Sequence, residues 1–307
     1  MSSLRKLLNR QLKSFGYEIT KEKKRVYVSP DGLEKAEKYL ERYREIISDP
    51  LNTLIEKVPE AGYVDNNRNV ILHNGNRVPV EGELAYYKDF SDILIINRGV
   101  HEPLEEFCFQ RLLPKIDAPR PVMLELGSYW AHYSMWFLKR YANAHCFMIE
   151  PDPSNIKCGQ NNFKINGFVG EFIQSFVGNS DFKVDDFVLN REFKTIDLLH
   201  ADIQGYEIEM LEGAAKCLNE KIVKYAFVST HSQQLHASVI KVLSDAGYRI
   251  EVSADVDHET TSSDGFVLAS SPNVPPVFDG FRAMGRKEIA RSSPSEILRY
   301  LSSAKVS

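Results

Sequence analysis

Cysteine is scarce in this sequence of 307 residues, which contains four cysteines: Cys108, Cys146, Cys158 and Cys217. None of them belongs to a CxxC or CxxH pair, the spacing at which short motifs hold structural zinc. Each lies within an apolar or helical pattern. We therefore predict four reduced, buried thiols, and neither a disulfide framework nor a cysteine-based metal site.

Basic residues are not in excess either, because 38 lysines and arginines stand against 42 aspartates and glutamates, for a net charge of -4. General nucleic-acid binders need a basic excess to neutralise phosphates, so nucleic acid is not an expected partner. No stretch approaches the roughly 20 apolar residues that span a bilayer, and the charged N terminus has no signal-peptide core. The expected location is the cytoplasm.

Residues 122–127 carry the most informative pattern that is present. The apolar run 122–126 predicts a short buried strand that contains Glu125, and Gly127 permits the tight turn that follows. A helix is predicted from Ser134 onward, ending at Lys139 and Arg140. Residues 146–149 then predict a second strand that ends in Glu150, where nucleotide-binding folds place an acid on the ribose hydroxyls.

The turn after Gly127 has few glycines, and this bears on which nucleoside it could bind. A pyrophosphate needs several glycines so that backbone N–H groups can approach it, but Tyr129 and Trp130 occupy such positions here. NAD is therefore disfavoured. S-adenosylmethionine has no phosphate, and Glu125 could bind its ammonium group while the amides of the turn bind its carboxylate.

The chain resembles the FkbM family of S-adenosylmethionine-dependent methyltransferases. The resemblance rests on five segments in the family's order: ELGSYWAHYS (125–134), IEPDPSN (149–155), NNFKIN (161–166), IDLLHADIQGYE (196–207) and LEGA (211–214). It covers residues 101–271 and implies an α/β fold, a doubly wound, Rossmann-like, seven-stranded methyltransferase sheet, with S-adenosylmethionine as the methyl donor. It is much less specific for the acceptor.

Three positions depart from the family pattern. Ala131 stands where the family usually has a second glycine, His200 replaces a usual lysine, and Gln204 replaces a usual glutamate. Asp202 and Glu207 remain in place. These departures imply a retained donor pocket with an altered acceptor side.

Three parts of the chain are predicted, since 307 residues with 43% hydrophobic and 26% charged residues suffice for one catalytic domain with extensions. Residues 1–100 form an N-terminal α+β extension that serves as an acceptor lid or in oligomerisation. The methyltransferase domain spans 101–271, and a tail with a short helix spans 272–307. A homodimer is one expected assembly.

The extension contains three predicted elements. Leu4, Leu7, Leu8, Leu12 and Phe15 share one helical face, which fits packing on this domain or a partner subunit better than binding at a membrane surface. A second helix is predicted over 32–47. The Asn74-Gly75 pair predicts a hairpin over 70–80.

The remaining elements follow the alternation of a doubly wound sheet. A helix that begins at Pro103 leads into the first strand. The later predicted helices are 153–166, 207–218, 234–246 and 293–301, and the later strands are 171–176, 196–201, 225–230, 248–252 and 265–269.

Donor-binding residues are predicted around the turn and the strand ends, with equal weight given to a purely structural role for Glu102 at its helix start. They are Glu102, Glu125, Gly127, Ser128, Tyr129, His132, Ser134, Glu150, Pro151, Asn155, Ser175, Asp202 and Gln204.

Catalysis is assigned to Asp202 and His231, which follow the fourth and fifth strands of the predicted sheet. A hydroxyl acceptor must lose a proton, and a histidine oriented by a carboxylate is suited to that task. A histidine that merely bonds the strand end is an equal alternative. A less favoured mechanism has Asp202, His231 and either His258 or Asp257 bind one divalent metal ion. His200 and His236 are expected to be structural.

The sequence therefore predicts an S-adenosylmethionine-dependent methyltransferase that methylates a hydroxyl of a sugar, glycan or secondary metabolite. One alternative is a nucleoside-binding protein that has lost catalysis, as the changes at His200 and Gln204 suggest. Another is a nicotinamide oxidoreductase, which the missing glycines disfavour.

Overall fold

The computed structural model describes Tyr43 and residues 46–86, 91–178, 181–258, 260–262 and 264–306. The predicted helix with Leu4 to Phe15 on one face lies outside the described residues, as does most of the predicted helix 32–47. In the part of the chain that is described, no helix combines the length and apolar character needed to cross a membrane.

The predicted hairpin is confirmed. Strands β1 (Asn69–Ile71) and β2 (Arg77–Pro79) pair antiparallel, with Val70 opposite Val78. Gly75 has a φ of +80° in the turn between them, a conformation that glycine adopts without steric cost. Val70 and Val78 are completely buried, so the hairpin packs its apolar side into the larger of the two hydrophobic clusters.

A seven-stranded sheet forms the centre of the molecule, in the order β5-β4-β3-β6-β7-β9-β8. Neighbouring strands from β5 to β7 are parallel, and β9 pairs antiparallel with both β7 and β8. The predicted doubly wound α/β fold is confirmed. The strands are β3 (Val122–Leu126), β4 (His145–Glu150), β5 (Glu171–Gln174), β6 (Ile196–Ala201), β7 (Val223–Thr230), β8 (Arg249–Ala254) and β9 (Gly265–Ser270).

Helices cover both faces of this sheet, as a parallel sheet requires. Alternate strand residues enter different hydrophobic clusters, with Met123 in one and Leu124 in the other. The helices whose bounds are described are α1 (Asp92–Ile96), α2 (Pro103–Leu112), α3 (His132–Arg140), α4 (Pro153–Asn166), α5 (Val184–Asn190), α6 (Glu207–Glu212), α7 (Ala215–Asn219), α8 (Gln233–Asp245), α9 (Arg286–Arg291) and α10 (Pro294–Val306).

The four cysteines are free and buried, as predicted. Burial raises the pKa of the Cys158 thiol to about 12 and raises those of Cys108 and Cys146 well above their usual range. These thiols therefore stay protonated at neutral pH, which removes them from nucleophilic chemistry.

One predicted helix, 207–218, is wrong as a single element, because the structure divides it into α6 and α7 around Gly213 and Ala214. The Asp185 carboxylate accepts hydrogen bonds from the backbone N–H groups of Lys216 (2.9 Å) and Cys217 (2.8 Å). These bonds satisfy N–H groups at the start of α7, so the second part begins as a separate, capped helix. Asp185 itself belongs to α5, a helix that the sequence pattern did not predict.

The tail also forms more structure than predicted. Helix α10 continues to Val306, well past the predicted end at residue 301, and α9 precedes it. Tyr300 and Ala304 of α10 are buried in the larger hydrophobic cluster. The tail is therefore part of the core packing.

Candidate functional site

The carboxyl ends of β3 and β6 meet at the point where the strand order reverses. The chain passes from β3 outward through β4 and β5, then returns to place β6 on the other side of β3. Leu126 of β3 pairs with Ala201 of β6, so Gly127 and Asp202 leave the sheet side by side. Open α/β sheets bind their ligands in the crevice at such a reversal.

Position 127 must be glycine because it lies in close contact with the backbone of Asp202. Its φ is +74°, and a Cβ at this position would lie 1.8 Å from the backbone oxygen of Asp202. The N–H groups of Gly127 and Ser128 both donate to the carbonyl of Ile149, at 2.8 and 3.2 Å. These two amides are therefore already bonded within the sheet edge, and the Tyr129 N–H is bonded to Glu150. Binding of a donor carboxylate by the turn, as the sequence predicts, would need amides beyond Tyr129.

Ala131 adopts the left-handed conformation, with φ +58° and ψ +41°, directly before α3. Tyr129, two residues earlier, also has a positive φ, of +41°. A residue with a Cβ pays about 1–2 kcal/mol for this conformation. The structure thus gives the physical reason why glycine suits position 131, and it shows that alanine is accommodated there with the turn intact.

Glu150 closes the turn from the side of β4. Its carboxylate accepts hydrogen bonds from the backbone N–H groups of Tyr129 and Asp152, each at 3.0 Å, and from the Asn155 side chain at 3.2 Å. Two of these bonds go to Oε1 and one to Oε2. Because a carboxylate has about four acceptor positions, Oε2 can still accept from a ligand hydroxyl.

Two adjoining cavities lie at this sheet edge. The larger has a volume of about 380 Å³, and the smaller of about 160 Å³. Gly127, Tyr129, Asp202 and Gln204 line both of them. Larger and shallower depressions exist elsewhere, including one beside Arg282 and Glu288, but these lie away from the strand ends. The two cavities, in contrast, meet at the reversal of the sheet.

Most of the predicted donor-binding residues line these cavities. Glu150, Pro151 and Asn155 line the larger one, whereas Glu102, Glu125, Ser128 and His132 line the smaller one. Ser134 and Ser175 line neither as the described residues define them. The sequence did not single out several further lining residues: Tyr86, Tyr133, Ile203 and Tyr206.

Glu125 is almost completely buried beside the start of α3. Its carboxylate accepts a hydrogen bond from the Ser134 N–H at 3.1 Å. Burial raises the pKa of Glu125 to about 7, against hydrogen bonds that lower it. The side chain is therefore poised between its neutral and charged forms at neutral pH, and a cationic ligand beside it would favour the charged form.

His231 lies at the end of β7 within reach of three carboxylates. Its Nδ1 is 2.5 Å from Oε1 of Glu207, and its Nε2 is 3.2 Å from Oδ1 of Asp202 and 3.8 Å from Oδ2 of Asp264. Burial alone would lower the pKa of His231, but the three carboxylates outweigh burial and raise it to about 10. Among these carboxylates His231 is therefore protonated at neutral pH.

The register of the antiparallel strands explains why Asp264 belongs to this group. Thr230 of β7 pairs with Gly265 of β9, so His231 and Asp264 are neighbours just beyond the pair. The alternatives proposed from the sequence, His258 and Asp257, are not brought to His231. His258 is instead paired with Asp255 at 2.7 Å in an exposed part of the loop, with its side chain 85% exposed. That part of the metal hypothesis is corrected.

The other two histidines proposed as structural are engaged in the core. His236 bonds Thr230 through Nδ1 and Ser253 through Nε2, both at 2.9 Å. His200 is buried between Tyr133 and Phe227, and burial lowers its pKa to about 3. Neither is suited to accept a proton from a substrate near neutral pH.

Four buried side chains beside the smaller cavity form a cluster that we call the buried charge network: His73, His101, Glu106 and His132. Glu106 lies 2.5 Å from Nδ1 of His101, 3.2 Å from Nε2 of His73 and 3.5 Å from Nε2 of His132. Burial opposes ionisation of Glu106, but the surrounding histidines hold its pKa well below the usual range. Burial opposes the charge on His101 as well, yet Glu102 and Glu106 raise its pKa to about 9.

We expect His101 to make stability depend on pH. Its pKa is about 9 in the folded protein, against a usual value near 6.5. Its contribution is therefore complete below pH 6.5 and is lost as the pH rises to about 9. The difference in unfolding free energy between wild type and His101→Gln should shrink by about 3 kcal/mol from pH 6 to pH 10. Denaturant titrations at both pH values measure this, and a difference independent of pH would contradict it.

The sequence did not single out Glu105 and Glu106 as part of the site. Two adjacent acidic residues at the start of a helix indicate only a favourable interaction with the helix dipole. Both are completely buried. Glu105 accepts hydrogen bonds from Ser229 and Ser262, with Oγ to carboxylate distances of 3.2–3.3 Å. The only signal in the sequence is their position inside an otherwise apolar helix that begins at Pro103.

The fold and the strand ends together define a Rossmann-like α/β protein with a crevice at its sheet reversal. Residues 180–250 match the family model described as the methyltransferase FkbM domain. The resemblance to the FkbM family identified in the sequence is thus confirmed over these residues.

A curated relative and two solved structures are also similar. A protein of Jannaschia sp. (strain CCS1), described as a putative methyltransferase, is 36% identical over 92 residues, which cover 28% of this chain and 33% of the relative. The match thus spans about a third of that relative's length.

Two solved structures are similar to this chain at lower sequence identity. The precorrin-6y C5,15-methyltransferase of Geobacter metallireducens GS-15 has a TM-score of 0.40 and 12% identity, covering 55% of this chain and 87% of its own. TrmK of M. capricolum, solved with S-adenosyl-homocysteine, has a TM-score of 0.39 and 12% identity, covering 63% and 80%. Similarities of this size do not bear on the function of this chain.

Proposed function

We propose that this protein is an S-adenosylmethionine-dependent methyltransferase that methylates a hydroxyl group of a sugar, glycan or secondary metabolite. The match of residues 180–250 to the FkbM domain carries the proposal. The geometry supports it, because the crevice at the sheet reversal has acidic side chains from β3, β4 and β6 around it.

The larger cavity suits the nucleoside of the donor. Its volume of about 380 Å³ falls within the range of small-molecule sites. Glu150 at its edge keeps an acceptor position for a ribose hydroxyl, and Phe176, whose side chain is partly exposed, offers an aromatic surface for a base. We assign the adenosine to this cavity.

The smaller cavity suits the methionine part of the donor and the reacting hydroxyl. Glu102, Glu125, Asp202 and Asp264 line it, so its carboxylates favour a sulfonium and an ammonium group. The hydroxyl of Ser128 is buried and makes no hydrogen bond within the described residues, so it is available to a polar ligand. Tyr86 comes from the N-terminal part, in agreement with our proposal that residues 1–100 shape the acceptor side.

A nicotinamide cofactor fits this edge less well. Pyrophosphate binding depends on free N–H groups in a glycine-rich turn. Here the amides of Gly127, Ser128 and Tyr129 are bonded to Ile149 and Glu150. The side chain of Trp130 is also buried in the turn and stacks on Tyr86, with the two ring centroids 4.5 Å apart.

Methyl transfer needs placement of the acceptor in line with the S–CH₃ bond and removal of the hydroxyl proton. Asp202 lines both cavities and lies 3.2 Å from His231, so these two residues are our choice for the acceptor side. As a base, His231 would be mostly protonated at neutral pH because its pKa is about 10. A cation that shares the site would change this, as developed below.

The alternative is a nucleoside-binding protein without catalysis. It rests on His200 and Gln204, which replace the usual lysine and glutamate. His200 is buried with its pKa lowered to about 3, so it cannot take over the charge of a lysine. The retained acidic residues around His231 favour the enzyme, and the experiments below separate the two.

Glu150→Gln is expected to weaken binding of S-adenosylhomocysteine by about 1.5–3 kcal/mol, the usual value of a hydrogen bond to a charged group. The substitution preserves shape but removes the charge and replaces one acceptor by a donor. Calorimetry measures the affinity. Glu171→Gln, at the opposite end of the neighbouring strand β5, is the matched control and should bind as the wild type does. Equal affinity for both variants would remove Glu150 from the donor site.

The proposed function is tested in two steps. A thermal-shift assay compares S-adenosylhomocysteine with NAD, and stabilisation by the former alone is expected. Hydroxylated sugars and small metabolites are then screened with S-adenosylmethionine labelled in its methyl group. Stabilisation by NAD alone would contradict the proposal. Binding of S-adenosylhomocysteine without transfer to any hydroxyl acceptor would favour the binding protein.

A further inference from the structure

Asp202, His231 and Asp264 direct their side chains toward a common point at the sheet edge. One oxygen of each carboxylate and one nitrogen of the imidazole all lie within 4.8 Å of one another. The residues come from three places in the chain, namely the ends of β6 and β7 and the residue before β9. The pairing of the strands brings them together, so the arrangement is fixed by the sheet.

The orientation of His231 is fixed by a buried carboxylate. Glu207, whose side chain is completely buried, holds Nδ1 of His231 at 2.5 Å. Nε2 therefore faces Asp202 and Asp264. Histidines that bind metals usually donate their second ring N–H to a carboxylate in this way, which fixes the tautomer and raises the basicity of the ligating nitrogen.

Two of the atoms at the common point lack hydrogen bonds. Nε2 of His231 and Oδ1 of Asp202 are both shielded from solvent, and neither makes a hydrogen bond of good geometry within the described part of the chain. They are 3.2 Å apart. Buried polar atoms are rarely left this way, and an ion is one of the usual reasons.

We propose that Asp202, His231 and Asp264 bind one divalent cation, and that the cation binds acceptor oxygens on the side of the smaller cavity. Carboxylates suit Mg²⁺, Ca²⁺ and Mn²⁺, whereas imidazole suits transition metals. Mn²⁺ is therefore the ion that fits a site of two carboxylates and one imidazole. Three protein ligands leave positions open for substrate. A cation held there would lower the pKa of an acceptor hydroxyl, so that the hydroxyl proton passes to solvent water. The resulting alkoxide would then attack the donor methyl group, forming the O–CH₃ bond as the S–CH₃ bond breaks and S-adenosylhomocysteine leaves.

The other group of ligating side chains, His73, Glu106 and His132, is less suited to a cation. The Glu106 carboxylate is already paired with His101 at 2.5 Å. All of these side chains are buried, with exposures of 4% or less. In contrast, Asp202 and Asp264 are partly exposed and line a cavity.

Cation binding itself does not depend on the proposed function, but the role in methyl transfer rests on it. The test is a titration of the full chain, freed of metal with EDTA and then dialysed, with Mn²⁺. Loss of the sharp electron paramagnetic resonance signal of free Mn²⁺ reports binding, and about one equivalent is expected. Asp264→Asn should weaken binding at least tenfold, because changes in mere supporting residues cost about 10–100-fold.

The matched control is Asp257→Asn, which removes an exposed carboxylate of the same loop and should bind Mn²⁺ as the wild type does. Glu207→Gln, which weakens the orienting partner of His231, should give an intermediate affinity. Thermal shift with S-adenosylhomocysteine on the same samples verifies that each variant keeps its donor site.

Each outcome has a defined meaning. Wild type that binds S-adenosylhomocysteine but not Mn²⁺ overturns the cation site and leaves the proposed function standing. Equal Mn²⁺ affinity for Asp264→Asn and Asp257→Asn places the ion elsewhere and also overturns it. Mn²⁺ binding that is lost only in Asp264→Asn supports the site, even if S-adenosylhomocysteine does not bind, in which case the proposed function fails alone.

Discussion

Replacing His231 by asparagine should lower kcat by roughly 10²–10⁴, while the affinity for S-adenosylhomocysteine changes by no more than about twofold. The location of His231 relative to the two cavities is the reason for this expectation. His231 lines neither cavity, but it lies 3.2 Å from Asp202, which lines both. Whether it removes a proton or binds a cation, its loss affects the transition state more than donor binding.

The matched control for this prediction is His258→Asn. His258 is the exposed histidine of the nearby loop, paired with Asp255 and distant from the common point of the three side chains. Its loss should leave kcat unchanged. Transfer of the labelled methyl group to whichever hydroxyl acceptor the screen identifies measures both variants. Full turnover by His231→Asn would exclude His231 from the mechanism.

The dependence of the rate on pH separates the two roles of His231. A histidine that acts as a free base with a pKa of about 10 gives a rate that rises steadily with pH up to that value. The sequence alone predicts a fall only below pH 6.5, the usual pKa. A cation ligand has already lost its Nε2 proton, so the rate then depends on added Mn²⁺ and is abolished by EDTA.

Glu106→Gln should lower the free energy of unfolding by about 3–5 kcal/mol, the usual cost of breaking a buried ion pair from one side. The variant keeps the shape of the side chain but leaves the cationic His101 with a neutral amide at Nδ1 and with Glu102 as its remaining carboxylate partner. His73 and His132 also lose the charge at 3.2 and 3.5 Å. Denaturant unfolding at pH 6, where His101 is charged, gives the measurement.

The control for this second prediction is Glu288→Gln, which breaks an exposed ion pair with Arg282. Exposed pairs contribute at most about 1 kcal/mol, because solvent screens them. A loss for Glu106→Gln no larger than that of the control would show that the buried charge network does not hold the fold together.

The central strands of the sheet could be predicted because they are short, mostly apolar runs. The runs at 122–126 and 196–201 match β3 and β6 to the residue. Gly127 could be predicted as well, since a strand followed by glycine and then a helix indicates a turn with a positive φ. These features are local, and local sequence determines them.

The features that the sequence did not predict depend on contacts between distant segments. Asp264 joins His231 only through the antiparallel pairing of β9 with β7, which no local pattern specifies. Helix α7 begins where it does because Asp185, from another helix, caps it. The pKa of His231 rises because of carboxylates from three separate segments. The sequence alone identifies the individual side chains, but it does not predict these contacts between distant segments.

The close contact between Gly127 and Asp202 restricts how this protein could be redesigned. A Cβ at position 127 would lie 1.8 Å from the backbone oxygen of Asp202, so the two strand ends have no spare room between them. Any enlargement of the crevice from this side would displace both halves of the site together. An engineer who wants a different acceptor should therefore vary the opposite wall, beginning with Tyr86, where a change in size leaves the sheet edge in place.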